Sequence, residues 1–181
     1  MVYLNPPQKL ETERLMLRRL TADDVAPFVR FMTDEKAVQY MPFPPEQKTP
    51  EGAEGMMQWV MGAYDSDDAV FVMAITEKDK GDYIGSTGAS PVAESDAIEF
   101  FYTLLPAYWG KGYGTEAAAA LVAYLSETVK APRLMANVFT ENIASVRVLE
   151  KLGFQRASEG EKDENGLTPA VYTLTSASYH N

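Results

Sequence analysis

Trp109-Gly110-Lys111-Gly112-Tyr113-Gly114-Thr115-Glu116 is the stretch on which the fold turns. Three glycines alternate over five residues. A strand-like run from Ala97 to Leu105 leads in, and an alanine-rich helical pattern from Glu116 to Val129 leads out. Strand, glycine loop and helix start, in that order, make an anion site. Glycine lets the backbone turn tightly and approach a ligand with no Cβ in the way. The first helical turn presents N–H groups that lack an intrahelical acceptor, at the positive end of the helix dipole. The stretch points to a phosphate-bearing cofactor lying across the loop; the plainer alternative is a tight turn that uses glycine only for its positive φ.

Upstream, Arg14 to Leu20 alternates polar and apolar residues and reads as a half-buried strand. Thr21-Ala22-Asp23-Asp24 supplies a cap and an acidic first turn for a helix carrying Val25, Phe28, Val29 and Met32 and ending near Thr33. Asp34 to Tyr40 fits a second short helix. Met41-Pro42-Phe43-Pro44-Pro45 is a stiff apolar loop, because proline removes donors and fixes φ. Thr49-Pro50-Glu51 opens a helix whose Met56, Met57, Trp59, Val60 and Tyr64 read as a core stripe, closed by Asp65 to Asp68. Ala69 to Ile75 is a near-continuous apolar strand, and Tyr83 to Ala89 returns beside it across the turn Lys78 to Asp82. After a turn at Glu94-Ser95-Asp96 comes the strand Ala97–Leu105, ended by Pro106.

Downstream, the helix packs Ala117 to Ala120, Leu121, Val122 and Leu125 on the sheet and stops at Lys130-Ala131-Pro132. Arg133 to Phe139 is a strand reached through a helical crossover, so it should run parallel to Ala97–Leu105 with right-handed connection. Asn142 caps a helix over Ile143 to Leu152, with Gly153 at its C-terminal turn. Phe154 to Gly160 and Ala170 to Thr175 are strands joined through Glu161 to Gly166, where Asn165-Gly166 is a strong turn signal. No repeat or low-complexity linker interrupts the pattern. The expectation is one α/β domain over residues 1–181, with a mixed sheet antiparallel at its ends and parallel in the middle.

Bulk properties narrow the function. Cysteine is absent, which excludes disulfides, Cys-based zinc sites and a cysteine nucleophile. The formal charge of −10 repels a nucleic-acid backbone, and no Lys/Arg run offsets it. It suits a cationic substrate such as an amine, or a basic protein, or simply solubility. No apolar run approaches the roughly 20 residues of a membrane helix, and Met1 to Leu10 lacks a basic segment followed by an apolar one, so no signal peptide is expected. A cytoplasmic protein that binds neither nucleic acid nor membrane follows as the expectation. The single histidine is His180, which argues against histidine-based catalysis and a His-rich metal site.

Gly112-Tyr113-Gly114-Thr115-Glu116-Ala117 also fits a dinucleotide fingerprint. Two features oppose it. Pro106 to Trp109 separates the strand from the first glycine, and Asn137 and Val138 stand where an acidic residue should end the next strand. A Walker-type loop fits worse still, since no Gly-Lys-Ser/Thr follows.

Three segments together carry a resemblance. Glu99 to Ala117 resembles motif A of the GNAT acetyltransferases, and Asn142 to Phe154 resembles their motif B. Leu10-Glu11-Thr12-Glu13-Arg14-Leu15-Met16-Leu17-Arg18 looks like the opening of the Rim-type branch, named for enzymes that acetylate N-termini of ribosomal proteins. The resemblance spans about residues 10 to 175. It implies the acyl-CoA N-acyltransferase fold, a mostly antiparallel mixed sheet with one splayed parallel pair, flanked by helices. It implies acetyl transfer from acetyl-CoA to a primary amine by direct attack in a ternary complex, without a metal. The splayed pair would be Ile98–Leu105 and Arg133–Phe139. Main-chain groups of Leu104 and Leu105 would pair with pantetheine, and the loop Trp109, Lys111, Gly112, Tyr113, Gly114, Thr115 would hold the pyrophosphate. Asn142 would sit near the pantetheine arm. One departure stands out: many members place a tyrosine seven residues after the asparagine, where this chain has Leu149. Rim-type members have a serine three residues after it, here Ser145.

The chemistry then assigns candidates. A lysine-like amine is mostly protonated at pH 7 and attacks only when neutral, so a carboxylate must take its proton. Glu99, on the strand entering the cleft, is the candidate base. A backbone N–H near Leu104 or Leu105, freed where the strands part, is the expected oxyanion donor. Ser145 would hydrogen-bond the leaving thiolate, unless it only helps cap its helix. Tyr102, expected on the same strand face as Glu99, is the alternative donor, with core packing as its plainer role. Lys111 meets phosphate or solvent, and Trp109 packs under the loop. The acceptor side should be built from Pro42–Pro45, the helix around Trp59 and Glu161–Gly166. A protein N-terminus, a lysine and a small polyamine all remain open as acceptors, as does homodimer formation. The rival reading is a CoA-binding regulatory module on the same fold, without turnover.

Overall fold

The structure is a computed structural model that describes residues 4, 6–66 and 71–175. His180, Asp67 and Asp68 at the end of the expected helix that opens at Thr49-Pro50, and Ala69 and Val70 of the expected apolar strand lie outside the described residues. Among the described residues eight strands form one sheet: β1 Lys9–Glu11, β2 Leu15–Arg18, β3 Phe71–Glu77, β4 Tyr83–Pro91, β5 Ala97–Leu104, β6 Arg133–Phe139, β7 Gln155–Glu159 and β8 Pro169–Thr175. Their spatial order is β1-β2-β3-β4-β5-β6-β8-β7. Every neighbouring pair is antiparallel except β5 and β6.

The period-two alternation of the central strands sends alternate side chains to opposite faces, and both faces are covered. Along β3, Phe71, Met73 and Ile75 pack with Ile98, Phe100, Leu121 and Leu149 on one side. Ala74 packs with Phe28, Phe31, Met57 and Val60 on the other. The first face is covered by α3 Tyr113–Ala123 and α4 Ile143–Lys151, the second by α1 Val25–Met32 and α2 Pro50–Ala63. The long alanine-rich helix continues past α3 as a π-helical stretch, Tyr124–Thr128. Among the described residues no helix is long and apolar enough to cross a membrane.

Three expectations about the helices need correction. Asp34 to Tyr40 is a run of turns, not a helix. The Asp34 carboxylate accepts from Lys36 N and Ala37 N at 2.9 and 3.1 Å, closing a local turn that competes with helix. Pro42 then bars Met41 from continuing one. Trp59 is 61% exposed and not core; it lies roughly 200° around α2 from buried Met57. The third helix begins at Tyr113 rather than Glu116, because Gly112, at φ 81°, serves as its left-handed N-cap.

Candidate active site

The sheet forks at its one parallel pair. β5 and β6 are in register only over Ala97–Arg133, Ile98–Leu134 and Glu99–Met135. Beyond Glu99, β5 stays with β4 as far as Gly85–Leu104, while β6 stays with β8 as far as Phe139–Pro169. The strands therefore diverge, and each has one backbone edge turned toward a wedge-shaped gap. Leu105 N–H is not available there: it donates to Ile84 O at 2.8 Å. Successive N–H groups of a strand point to opposite edges, so Leu104 N–H, one residue earlier, turns to the wedge. The Leu104 carbonyl accepts from the Trp109 indole Nε1 at 2.8 Å. That bond seats the half-exposed Trp109 ring against the strand end and fixes where the glycine loop starts.

The loop is built by two left-handed glycines, Gly110 at φ 72° and Gly112 at φ 81°, a conformation other residues rarely adopt. Helix α3 starts at once after Gly112, so the N–H groups of Tyr113, Gly114 and Thr115 belong to its first turn and lack helical acceptors. Gly114 has a second role. A Cβ there would lie 3.1 Å from the Tyr102 ring, so its absence lets helix and strand approach. The exposed Lys111 ammonium lies 5.0 Å from the Tyr108 ring centroid.

The loop is held from behind by a network that sequence reasoning missed. The Glu116 carboxylate, in the first turn of α3, accepts from Thr12 Oγ1 at 2.5 Å, Arg14 N at 2.8 Å and Arg14 Nε at 2.7 Å. Arg14 Nη1 donates to Lys111 O at 3.0 Å, and the guanidinium covers the Tyr113 ring at 4.6 Å. Tyr113 Oη in turn donates to Glu77 Oε1 at 2.5 Å. Burial pushes the Glu116 carboxyl up, but the bonds from Thr12 and Arg14 outweigh it and hold the group below the usual range. Arg14 thus neutralises the acid beside the anion site and turns the Lys111 carbonyl away from it. The acid in a first helical turn was a legible signal; its partner, on the hairpin β1–β2 at the far end of the chain, was not.

The proton-transfer candidates separate onto two faces. Glu99 does not share a face with Tyr102: their positions differ by three, and odd spacing in a strand reverses the side chain. Glu99 lies on the face of α1 and α2, where Oε1 accepts from Asn137 Nδ2 at 2.7 Å. Asn137 lies two residues past the last parallel pair, so this bond spans the fork just where the backbone ladder stops. Tyr102 lies on the face of α3 and α4. Its hydroxyl donates to Ser145 Oγ at 3.3 Å, and Ser145 N donates to the Asn142 cap at 3.2 Å. Burial raises the Tyr102 phenol above its ordinary value, opposed in part by the bond to Ser145. Leu149 is core, 2% exposed. The loop 160–168 is tied to the mouth of α4 by Glu141, which accepts from Thr168 N and Oγ1, both at 2.9 Å.

Residues 14–155 match the family model described as acetyltransferase (GNAT) domain. An uncharacterized N-acetyltransferase of Bacillus subtilis, YoaA, is 29% identical over 148 residues, covering 81% of this chain and 82% of that protein. Over 67 residues, 37% of this chain and 43% of the other, the similarity to the spermine/spermidine N(1)-acetyltransferase of B. subtilis reaches 39%. The solved structure of the ribosomal-protein-S5-alanine acetyltransferase of Vibrio fischeri superposes with a TM-score of 0.77 at 19% identity, covering 93% of this chain and 96% of that one.

Proposed function

The chain belongs to the GNAT acetyltransferase family, and from that premise we propose that it is a one-domain N-acetyltransferase of the Rim-type branch, acting on a primary amine in a ternary complex with acetyl-CoA. The family draws its acetyl group from acetyl-CoA, and the residues present fit that cosubstrate. The observation that carries the reading is the fork: a parallel pair that parts after three residues, with a glycine-capped helix N-terminus at its mouth. The wedge suits an extended, amide-bearing arm that pairs with strand edges. The first-turn N–H groups of Tyr113, Gly114 and Thr115 suit a diphosphate. The Rim-type assignment rests on Leu10 to Arg18 and on Ser145 three residues after Asn142.

Each residue then has a task. Glu99 takes a proton from the incoming ammonium, directly or through water, and Asn137 orients its carboxylate across the fork. The amine nitrogen bonds to the acetyl carbon as the carbon–sulfur bond breaks. Leu104 N–H is the donor placed to hold the developing oxyanion. Tyr102 and Ser145 act together on the other face, returning a proton or hydrogen bond to the leaving sulfur. Thiol release from acetyl-CoA, measured against a panel of peptides and amines, tests the reading. Binding of acetyl-CoA with no thiol released by any amine would replace it with the non-catalytic CoA-binding alternative.

A further inference from the structure

An apolar space lies on the same sheet face as Glu99. It is a cavity of about 100 Å³ between that face and helices α1 and α2, lined by Phe28, Phe31, Phe43, Met56, Val72 and Phe101 among others. No polar atom of the described residues faces into it. The two hydroxyl residues on its wall are already engaged: Ser86 Oγ with Tyr83 Oη at 2.6 Å, and Thr103 Oγ1 with Ser86 O at 3.4 Å. The cavity is reached from outside. Phe101 is 41% exposed, and Phe43, Met56 and Val72 are half-buried. Phe101 stands two residues past Glu99, on the same face, about 7 Å along the strand. Its ring can lie flat across β4 because its cross-strand partner is Gly88, where a Cβ would come within 2.6 Å of it.

We propose that this cavity is the acceptor's side-chain pocket, and that the substrate is a monoamine carrying a compact branched aliphatic group two to four bonds from its nitrogen. The inference rests on the acetyl-transfer reading. With the nitrogen at Glu99, such a group reaches Phe101 and enters the space behind it. A second ammonium, as in a polyamine, would lose its hydration there with no partner to replace it. A cavity that takes benzene has about 150 Å³, more than this space offers, so a small branched group is the better match. The acidic surface draws the charged end, and the pocket selects the greasy one.

The test uses the full-length protein with acetyl-CoA and with its non-reactive desulfo analogue. Methionine methyls labelled with carbon-13 report binding, with Met56 and Met57 assigned through Met56→Leu and Met57→Leu. Isopentylamine should shift both signals saturably, and putrescine should leave them still. In turnover, kcat/KM should rise on the order of tenfold from propylamine to isopentylamine, the gain for two buried carbons, and exceed that for spermidine. Met56→Glu should erase that rise while acetyl-CoA affinity holds. Leucinamide and isopentylamine run in parallel separate the two sources of this chemistry, an aliphatic N-terminal residue and a free alkylamine. Silent Met56 and Met57 signals, or putrescine and spermidine matching isopentylamine, overturn the pocket and leave acetyl transfer standing. Saturable shifts with no thiol release from any amine overturn acetyl transfer and leave the pocket standing.

Discussion

The Tyr102 hydroxyl donates to Ser145 Oγ at 3.3 Å, so the two candidate donors form one hydrogen-bonded unit joining β5 to the first turn of α4. Removing either member breaks the same relay. Tyr102→Phe and Ser145→Ala should each lower kcat by on the order of 10², and the double variant should lose little more than either alone. Product of the two losses in the double variant would show independent roles. Burial raises the phenol, so Tyr102 stays protonated up to and past its ordinary value near 10. Any alkaline fall in kcat below that pH should persist in Tyr102→Phe.

Glu99→Gln should depress turnover most at neutral pH, where the acceptor amine is charged. As pH rises toward 9.5 the amine deprotonates by itself, and the gap from wild type should close. Asn137→Ala should cost a smaller factor in kcat, about 3- to 10-fold, with acetyl-CoA affinity retained. A pH–rate profile for each variant decides. A constant gap across the range would remove Glu99 from proton transfer.

Arg14 should matter for acetyl-CoA affinity without touching the ligand. Arg14→Ala frees the Lys111 carbonyl and leaves Glu116 charged beside the anion site, and should raise the Kd by roughly tenfold, a 1.4 kcal/mol change. Lysine cannot reproduce the forked contacts to Glu116 and Lys111, so Arg14→Lys should not restore it. Isothermal titration with acetyl-CoA measures both.

Glu116 should also be legible in stability. Its folded pKa lies below the unfolded value near 4.3, so the native state binds fewer protons there than the unfolded one. Its stabilisation is therefore present above that pH and fades as pH falls through the folded value. Urea melts of wild type and Glu116→Gln should differ at pH 7 and converge toward pH 3.

Leu149→Tyr, which supplies the tyrosine that the resemblance leads one to expect there, should not help. Leu149 is buried against the sheet, and a larger polar side chain there should cost about 1–3 kcal/mol of stability with no gain in kcat. A rise in kcat would show that the helix can repack to admit a new donor.

Local pattern carried most of this fold. The proline at Pro50, the asparagine cap at Asn142 and the glycines at 112 and 153 mark their boundaries within a few residues, because each acts on its own backbone. The parallel pair was legible from the crossover, and its splaying only through the family resemblance. What stayed hidden depends on distance in sequence. The Arg14–Glu116 clamp joins residues 102 apart, and Glu99 meets Asn137 across 38. The opposed faces of Glu99 and Tyr102 were within reach of simple counting. The cavity behind Phe101 arises from the meeting of two helices and three strands, which no single segment encodes.

The three-residue register between β5 and β6 has a mechanical consequence. Among the described residues it is the only backbone seam joining the five strands β1 to β5 with the trio β6, β8 and β7. The sheet is thus two plates hinged along a short weld, with the Glu99–Asn137 bond as a pin just beyond it. A ligand arm laid in the wedge works as a splint, lending its own amides to both plates. Amide exchange along residues 100–104 and 136–139 should therefore slow together when the wedge is filled, and the whole domain should melt later.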